Sequence, residues 1–121
     1  MFTLNDSQRY WLYNQPTDMR KSFHTLSGIV NNIMGKDPVN GDVYIFINRR
    51  RNRMKLLHWE PGGLVIYSKM LDRGTFTPSR NTPENEYSTH LAWRDLVMIV
   101  EGIIADPDSR KERLDMLKNN W

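Results

Sequence analysis

The stretch "VYIFINRRRNRMKLLHWEPGGLVIYSK", Val43 to Lys69, decides how this chain folds. Three apolar runs, at 43–48, 53–59 and 64–69, are separated by Arg49 to Asn52 (RRRN) and by Glu60 to Gly63 (EPGG). Short β-branched and aromatic runs broken by Asn, Pro and Gly read as strands joined by tight turns, so the spacing predicts an antiparallel meander. With residues 49–52 as the tip, Ile47 faces Met54 and Ile45 faces Leu56. Side chains alternate along a strand, which collects Val43, Ile45, Ile47, Met54, Leu56 and His58 on the expected core face. The opposite side carries Tyr44, Phe46, Lys55, Leu57 and Trp59, and its mixture of rings with an ammonium marks it as the expected wet face. A slip of one residue in a strand would exchange its two faces.

Upstream, Arg9 to Asn14 (RYWLYN) suits a short strand running into a turn at Gln15 and Pro16. Thr17 is then a good N-cap and Asp18 puts negative charge in a first turn. Met19, Phe23, Leu26, Val30 and Ile33 recur at helical spacing, and Gly35 supplies a stop, which predicts an amphipathic helix over 18–34. Asp37 to Asp42 (DPVNGD) is turn chemistry. Downstream, Met70 to Glu86 holds two prolines and few apolar residues and reads as a surface connection. Trp93, Leu96, Val97, Ile99 and Val100 predict a short helix with Asp95 near its start and Gly102 closing it. Ser109 to Lys118 suits a short terminal helix anchored by Leu114 and Leu117. The expected fold is α+β, one domain over residues 1–121: an antiparallel meander covered by the 18–34 helix, with short C-terminal helices.

Composition narrows the function. With 121 residues and 14.4 kDa the chain is large enough for one modest core. It has no cysteine, which rules out disulfides and thiolate metal sites and suits a reducing cytoplasm. The start, MFTLNDSQRY, lacks a basic segment followed by an apolar one, and the longest apolar stretches are five residues, so export and membrane insertion are not expected. Net charge is +3, unevenly spread: residues 1–40 carry four cations and three anions, 41–80 eight and three, 81–121 five and eight. The middle third is therefore the one region that would attract a polyanion.

Arg49, Arg50, Arg51, Arg53 and Lys55 concentrate that charge at the first hairpin tip. Guanidinium forks bind phosphate oxygens bidentately, and a hairpin end can lie along a phosphate backbone. Lys69 and Arg73, around the end of the third strand, and Arg20 and Lys21, early in the first helix, extend the candidate nucleic-acid surface. If about five phosphates were neutralised, log affinity would fall with log salt at a slope of about −4.5. The plainer role for such a run is to keep a hairpin soluble and unpaired. Tyr10, Trp11, Tyr13, Tyr44, Phe46, Trp59 and Tyr67 would stack on unpaired bases if they faced solvent, although core packing suits most of them better.

Catalytic signatures are missing. His24, His58 and His90 are far apart, no serine sits in a Gly-x-Ser-x-Gly elbow, and no phosphate-cradling glycine loop occurs. Asp18, Asp42, Glu60 and Asp72 are the carboxylates a metal-dependent nuclease would need, but each has a helix-start or turn role instead. Neither a cofactor nor a catalytic residue is expected.

The strings "QPTDMRKSFHTLSGIV" (Gln15 to Val30) and "DPVNGDVYIFINRRRNRMKLLHWEPGGLVIYSKMLDRGTF" (Asp37 to Phe76) resemble the TnpB-type accessory protein of bacterial transposons in insertion sequence family 66. The family pattern is met by Thr17 to Lys21, Gly41 to Phe46, Asn48 to Arg50, Lys55 to Leu57, Trp59 and Tyr67 to Lys69, and the closing segment by Leu91 to Ile103. Met70 stands where the family usually has Arg, and Ala92 where a capping serine would be less surprising. The resemblance implies a protein that works beside a separate, larger DDE transposase, with no accepted catalytic role of its own. It is distinct from the RNA-guided nuclease that shares the TnpB name. The rival to DNA binding is a module whose basic hairpin docks on that transposase.

Overall fold

In the computed structural model, which describes residues 4–77, 83 and 85–101, the central stretch forms three antiparallel strands. They are β2 (Val43–Ile47), β3 (Arg53–Glu60) and β4 (Gly63–Met70); β1 (Tyr10–Tyr13) precedes them. Ile47 pairs with Met54 and Ile45 with Leu56, as the tip length implied. Glu60 pairs with Gly63 across Pro61 and Gly62, and Gly62 takes φ +96, a region glycine enters without a Cβ penalty.

The sheet is mixed rather than purely antiparallel. β1 lies parallel to β2, with Trp11 opposite Tyr44, and the chain between them carries α1 (Phe23–Gly28), extended by a π-helical turn at Ile29–Ile33. This is a βαβ crossover, the connection that parallel neighbours require. A fifth strand, β5 (Ser88–Leu91), pairs antiparallel with β1, giving the order β4-β3-β2-β1-β5. α2 (Trp93–Val100) follows it directly.

Both faces of this sheet are core. Val43, Ile45, Ile47, Met54 and Leu56 join Tyr10, Leu12, Leu91, Phe76 and the α2 residues Leu96 and Ile99 on the expected side. On the other side Tyr44, Phe46 and Leu57 are fully buried and pack with Trp11, Leu26, Ile29, Val30 and Met34. The expectation of a wet face there is corrected: each such large apolar side chain gains roughly 2 kcal/mol from burial, and α1 with its π turn supplies the cover. Lys55 is tolerated on that side because its Nζ reaches the rim and donates to the Lys21 carbonyl at 2.6 Å. Trp59, at the far end of β3, remains 38% exposed.

The first helix begins later than its sequence pattern suggests. Thr17 is not its N-cap; its buried backbone N–H donates to the Ile47 carbonyl at 2.9 Å, tying the segment after β1 to the end of β2. Asp18 accepts the Arg20 N–H at 2.9 Å in a local turn, and Ser22 stands at the helix N-terminus. Leu26 and Val30 of the predicted stripe are buried, whereas Phe23 and Ile33 are exposed. The wider π turn, marked by Met34 N–H donating to the Ile29 carbonyl, shifts the phase and buries Ile29 and Met34. Gly35, at φ +68, ends the helix as its position implied, with Lys36 N–H donating back to Val30.

The 70–86 connection is less superficial than its composition indicates. Phe76 is fully buried, and Ser88–Leu91 is a strand that sequence reasoning did not find. At α2 the Asp95 carboxylate accepts the Ala92 N–H at 3.3 Å, half of a capping box, since an alanine side chain has no oxygen to return the bond. The anticipated Gly102 stop and the 109–118 helix lie outside the described residues. Among the described residues no helix is long and apolar enough to cross a membrane.

Candidate nucleic-acid interface

Because β1 and β2 are parallel, the exit of β1 and the β2–β3 tip lie at the same end of the sheet. Asn48 organises the tip. Its Oδ1 accepts the backbone N–H groups of Asn52 and Arg53, both at 3.0 Å, and its Nδ2 donates to Asn52 Oδ1 at 2.8 Å. Arg51 N–H donates to the Asn48 carbonyl at 3.0 Å, closing a turn in which Arg51 takes φ +57. A left-handed conformation costs a residue with a Cβ roughly 1–2 kcal/mol, so the turn is held by its surroundings. Those surroundings include the segment after β4: Leu71 N–H donates to the Asn52 carbonyl at 2.8 Å and Phe76 N–H to the Arg51 carbonyl at 2.6 Å. Buried Phe76 thus anchors the tip from behind.

Two open grooves flank this tip. One, of about 570 Å³, is lined by Pro16 to Arg20 together with Asn48, Arg49, Arg50 and Arg53. The other, of about 410 Å³, runs from Leu12 to Pro16 and includes Ile47, Asn48, Arg49 and Arg51. Arg49, Arg50, Arg51 and Arg53 are exposed, and no carboxylate lies within ion-pair distance of them among the described residues.

The remaining candidate cations divide differently. Arg20 lines the larger groove but is clamped on Asp18, with Nη2 to Oδ2 at 2.7 Å; the guanidinium bonds hold the Asp18 carboxyl well below the usual carboxylate range. Lys55 lines neither groove, and its Nζ donates to the Lys21 carbonyl. Lys69 donates to the Val100 carbonyl at 2.7 Å, capping the end of α2, where a cation complements the helix dipole. Arg73 is exposed beyond β4 but has an interaction of its own. Three of the five other candidate cations are thus held by a carboxylate or a carbonyl, and Lys21, half-buried, lines neither groove, which leaves the four tip arginines as the set grouped around the grooves.

Of the candidate rings only Tyr13 reaches the tip, lining the smaller groove beside Arg49 and Arg51. Tyr10, Trp11, Tyr44 and Phe46 are buried, Tyr13 and Tyr67 half-buried, and Trp59 sits beside the opposite turn. Burial pushes the Tyr10 and Tyr44 hydroxyls up to about 12. Three of the four carboxylates weighed for a metal are engaged separately: Asp42 accepts from Trp11 Nε1 at 3.0 Å and from Arg9 Nε at 3.3 Å, Asp18 binds Arg20, and Glu60 binds His58, while Asp72 is exposed after β4. Sequence reasoning overlooked Asn48 and Asn52, although two asparagines bracketing a tip are a signal, since Asn readily bonds nearby backbone. Nothing local in the sequence marked Phe76 as the tip's support.

Comparison with known proteins agrees with the resemblance seen in the motifs. Two proteins of Sinorhizobium fredii, uncharacterized protein y4jC and uncharacterized protein y4hO, are similar to the chain. The first is 25% identical over 95 residues, covering 78% of this chain and 79% of its own length. The second is 29% identical over 76 residues, covering 63% of this chain and 66% of its own length. No solved structure matches the chain significantly. A family model described as "IS66 Orf2 like protein" matches residues 8–110, most of the chain. The chain belongs to this family, the IS66 Orf2-like proteins of insertion sequences.

Proposed function

We propose that the chain is a non-catalytic accessory protein of transposition that binds transposon DNA through the phosphates, using the β2–β3 tip. Family membership supports the accessory role. The observation that carries the DNA-binding reading is the set of four exposed guanidiniums, Arg49, Arg50, Arg51 and Arg53, on a turn braced by Asn48. A rigid tip loses little conformational freedom on binding, and bidentate guanidinium–phosphate pairs gain both energy and orientation from that rigidity. Contacts of this kind position a protein on a duplex without reading its sequence. Stacking on unpaired bases has little support at the tip, where half-buried Tyr13, tilted against Phe46, is the one ring beside the arginines and the other large rings lie in the core or elsewhere on the sheet. The natural partner is the DDE transposase encoded by the same element.

The test is a gel-shift titration of a transposon-end duplex with the purified protein, with and without the transposase. Binding by the protein alone, lost in Arg49→Ala/Arg50→Ala, is the expected result. Retention only when the transposase is present would overturn it in favour of a hairpin that docks on protein.

A further inference from the structure

The two edges of the sheet differ sharply. Among the described residues β5 ends one side with a four-residue strand, whereas β4 ends the other with eight residues, Gly63–Met70, paired on one side only with β3. Native edges are usually short, prolines and charges interrupt them, or bulges twist them away. Among the described residues β4 has none of these protections: it contains no proline, and its single charge, Lys69, is turned onto the Val100 carbonyl.

The hydrogen-bond phase shows which groups are free to pair. Leu71 N–H donates to the Asn52 carbonyl, so the pairs two residues apart from it, Met54 with Lys69 and Leu56 with Tyr67, exchange main-chain bonds with β3. The N–H and C=O groups of Leu64, Ile66, Ser68 and Met70 therefore point away from the sheet. Among the described residues no further backbone partner of these groups is found outside the sheet.

We propose that β4 pairs antiparallel with β4 of a second copy of this chain, joining two five-stranded sheets across a two-fold axis. The strand is self-complementary in that arrangement. With Ile66 opposite Ile66 of the second copy, Leu64 lies across from Ser68 and Val65 across from Tyr67. Lys69 then lies across from Gly63, so no like charges meet. Shifting by two keeps the outward groups in phase, with Tyr67 opposite Tyr67 and Lys69 opposite Val65, again without a charge clash. The groove of about 390 Å³ lined by Leu56, Ile66, Tyr67, Lys69 and Val100 opens along this edge, on the face that would receive the partner's Val65 or Tyr67. An antiparallel pair would also carry the two arginine tips to opposite ends, on the order of 30 Å apart from strand dimensions. On the DNA-binding reading proposed above, each dimer then offers one tip to each of two DNA segments.

Sedimentation equilibrium of the full chain without DNA tests the pairing independently of DNA binding. A mass of about twice 14.4 kDa is expected. Ser68→Pro removes only an outward N–H from an exposed position and should return a single-chain mass with unchanged circular dichroism. Because the chain has no cysteine, single Ile66→Cys and Tyr67→Cys variants report the register: one of the two should cross-link to a dimer on oxidation, and Thr25→Cys on α1 should not. A wild-type chain that sediments at 14.4 kDa at micromolar concentration overturns the proposal, and the edge is then left to the chain's own residues or to a strand of the transposase. A dimer that survives Ser68→Pro and cross-links at neither position overturns it as well.

Discussion

Replacing Asn48 by Ala removes no charge, yet it should weaken DNA binding, and that separation makes it the most informative single change. The side chain makes three hydrogen bonds within the tip, two from backbone N–H groups and one to Asn52. Each such bond is worth about 1 kcal/mol net, but the site is half-exposed and water can replace part of it, so the loss of stability should be about 1–2 kcal/mol. With a urea dependence of about 1.5 kcal/mol per molar, the denaturation midpoint falls by roughly 1 M. Freed from Asn48, residues 49–52 must be ordered when they bind, at about 1 kcal/mol or more per residue that was truly released. Allowing for the remaining anchors at Leu71 and Phe76, a loss of about tenfold in DNA affinity is expected, or about 1.4 kcal/mol. The assay is fluorescence anisotropy with a labelled duplex at several salt concentrations, beside a urea melt. The slope of log affinity against log salt should stay at the wild-type value while the intercept drops. A slope that shrinks by about 0.9 would mean that one tip guanidinium loses its phosphate outright rather than being less well preorganised, and unchanged affinity with lowered stability would refute preorganisation.

Other outcomes follow from the same geometry. Arg51→Gly relieves a left-handed backbone and should raise stability by roughly 1 kcal/mol in a urea melt, while the salt slope loses about 0.9 because one guanidinium is gone. Ala92→Ser completes the capping box whose other half Asp95 already supplies; the position is extended, at φ −72 and ψ 153, so a gain of about 1 kcal/mol in thermal unfolding is expected. The Asp18 carboxyl, depressed by its bonds to Arg20, should titrate below ordinary aspartates in carbon-detected NMR, and Arg20→Ala should raise it toward the ordinary range, the backbone N–H of residue 20 still holding it down in part. The sign follows from that depression: the stabilising contact is fully present above the unfolded-state value and disappears as pH falls through the folded one.

The central hairpins were readable because turn chemistry at RRRN and EPGG fixes their lengths, and the length of a tip fixes the register. The second buried face was harder to see. Tyr44, Phe46 and Leu57 alternate with an equally apolar set, and a strand buried on both sides loses the alternation that separates core from surface; Lys55 then pulled the reading toward solvent. The parallel placement of β1 had no local signal, since four residues cannot declare their partner, although a strand, a helix and a strand in succession is the pattern that permits it. β5 contains only one strongly apolar residue, Leu91, and is held by its pairing with β1. The later start of α1 arose from competition: the Ile47 carbonyl takes the Thr17 N–H, the Gln15 carbonyl takes the Thr17 hydroxyl, and Arg20 takes the Asp18 side chain, so both residues are held outside the helix. At the tip, the sequence identified the arginines correctly as a cluster. It did not show which neighbouring cations have a carbonyl or carboxylate of their own, because Lys55 to Lys21 and Lys69 to Val100 are contacts between separate elements.

That distinction makes the salt dependence of duplex binding by the wild-type protein the most direct measurement. Four tip guanidiniums predict a slope of about −3.6 for log affinity against log salt. Substituting Lys55 should leave that slope unchanged, and substituting Arg50 should lower its magnitude by about 0.9. A flat response, or equal losses from Lys55→Ala and Arg50→Ala, would contradict the account.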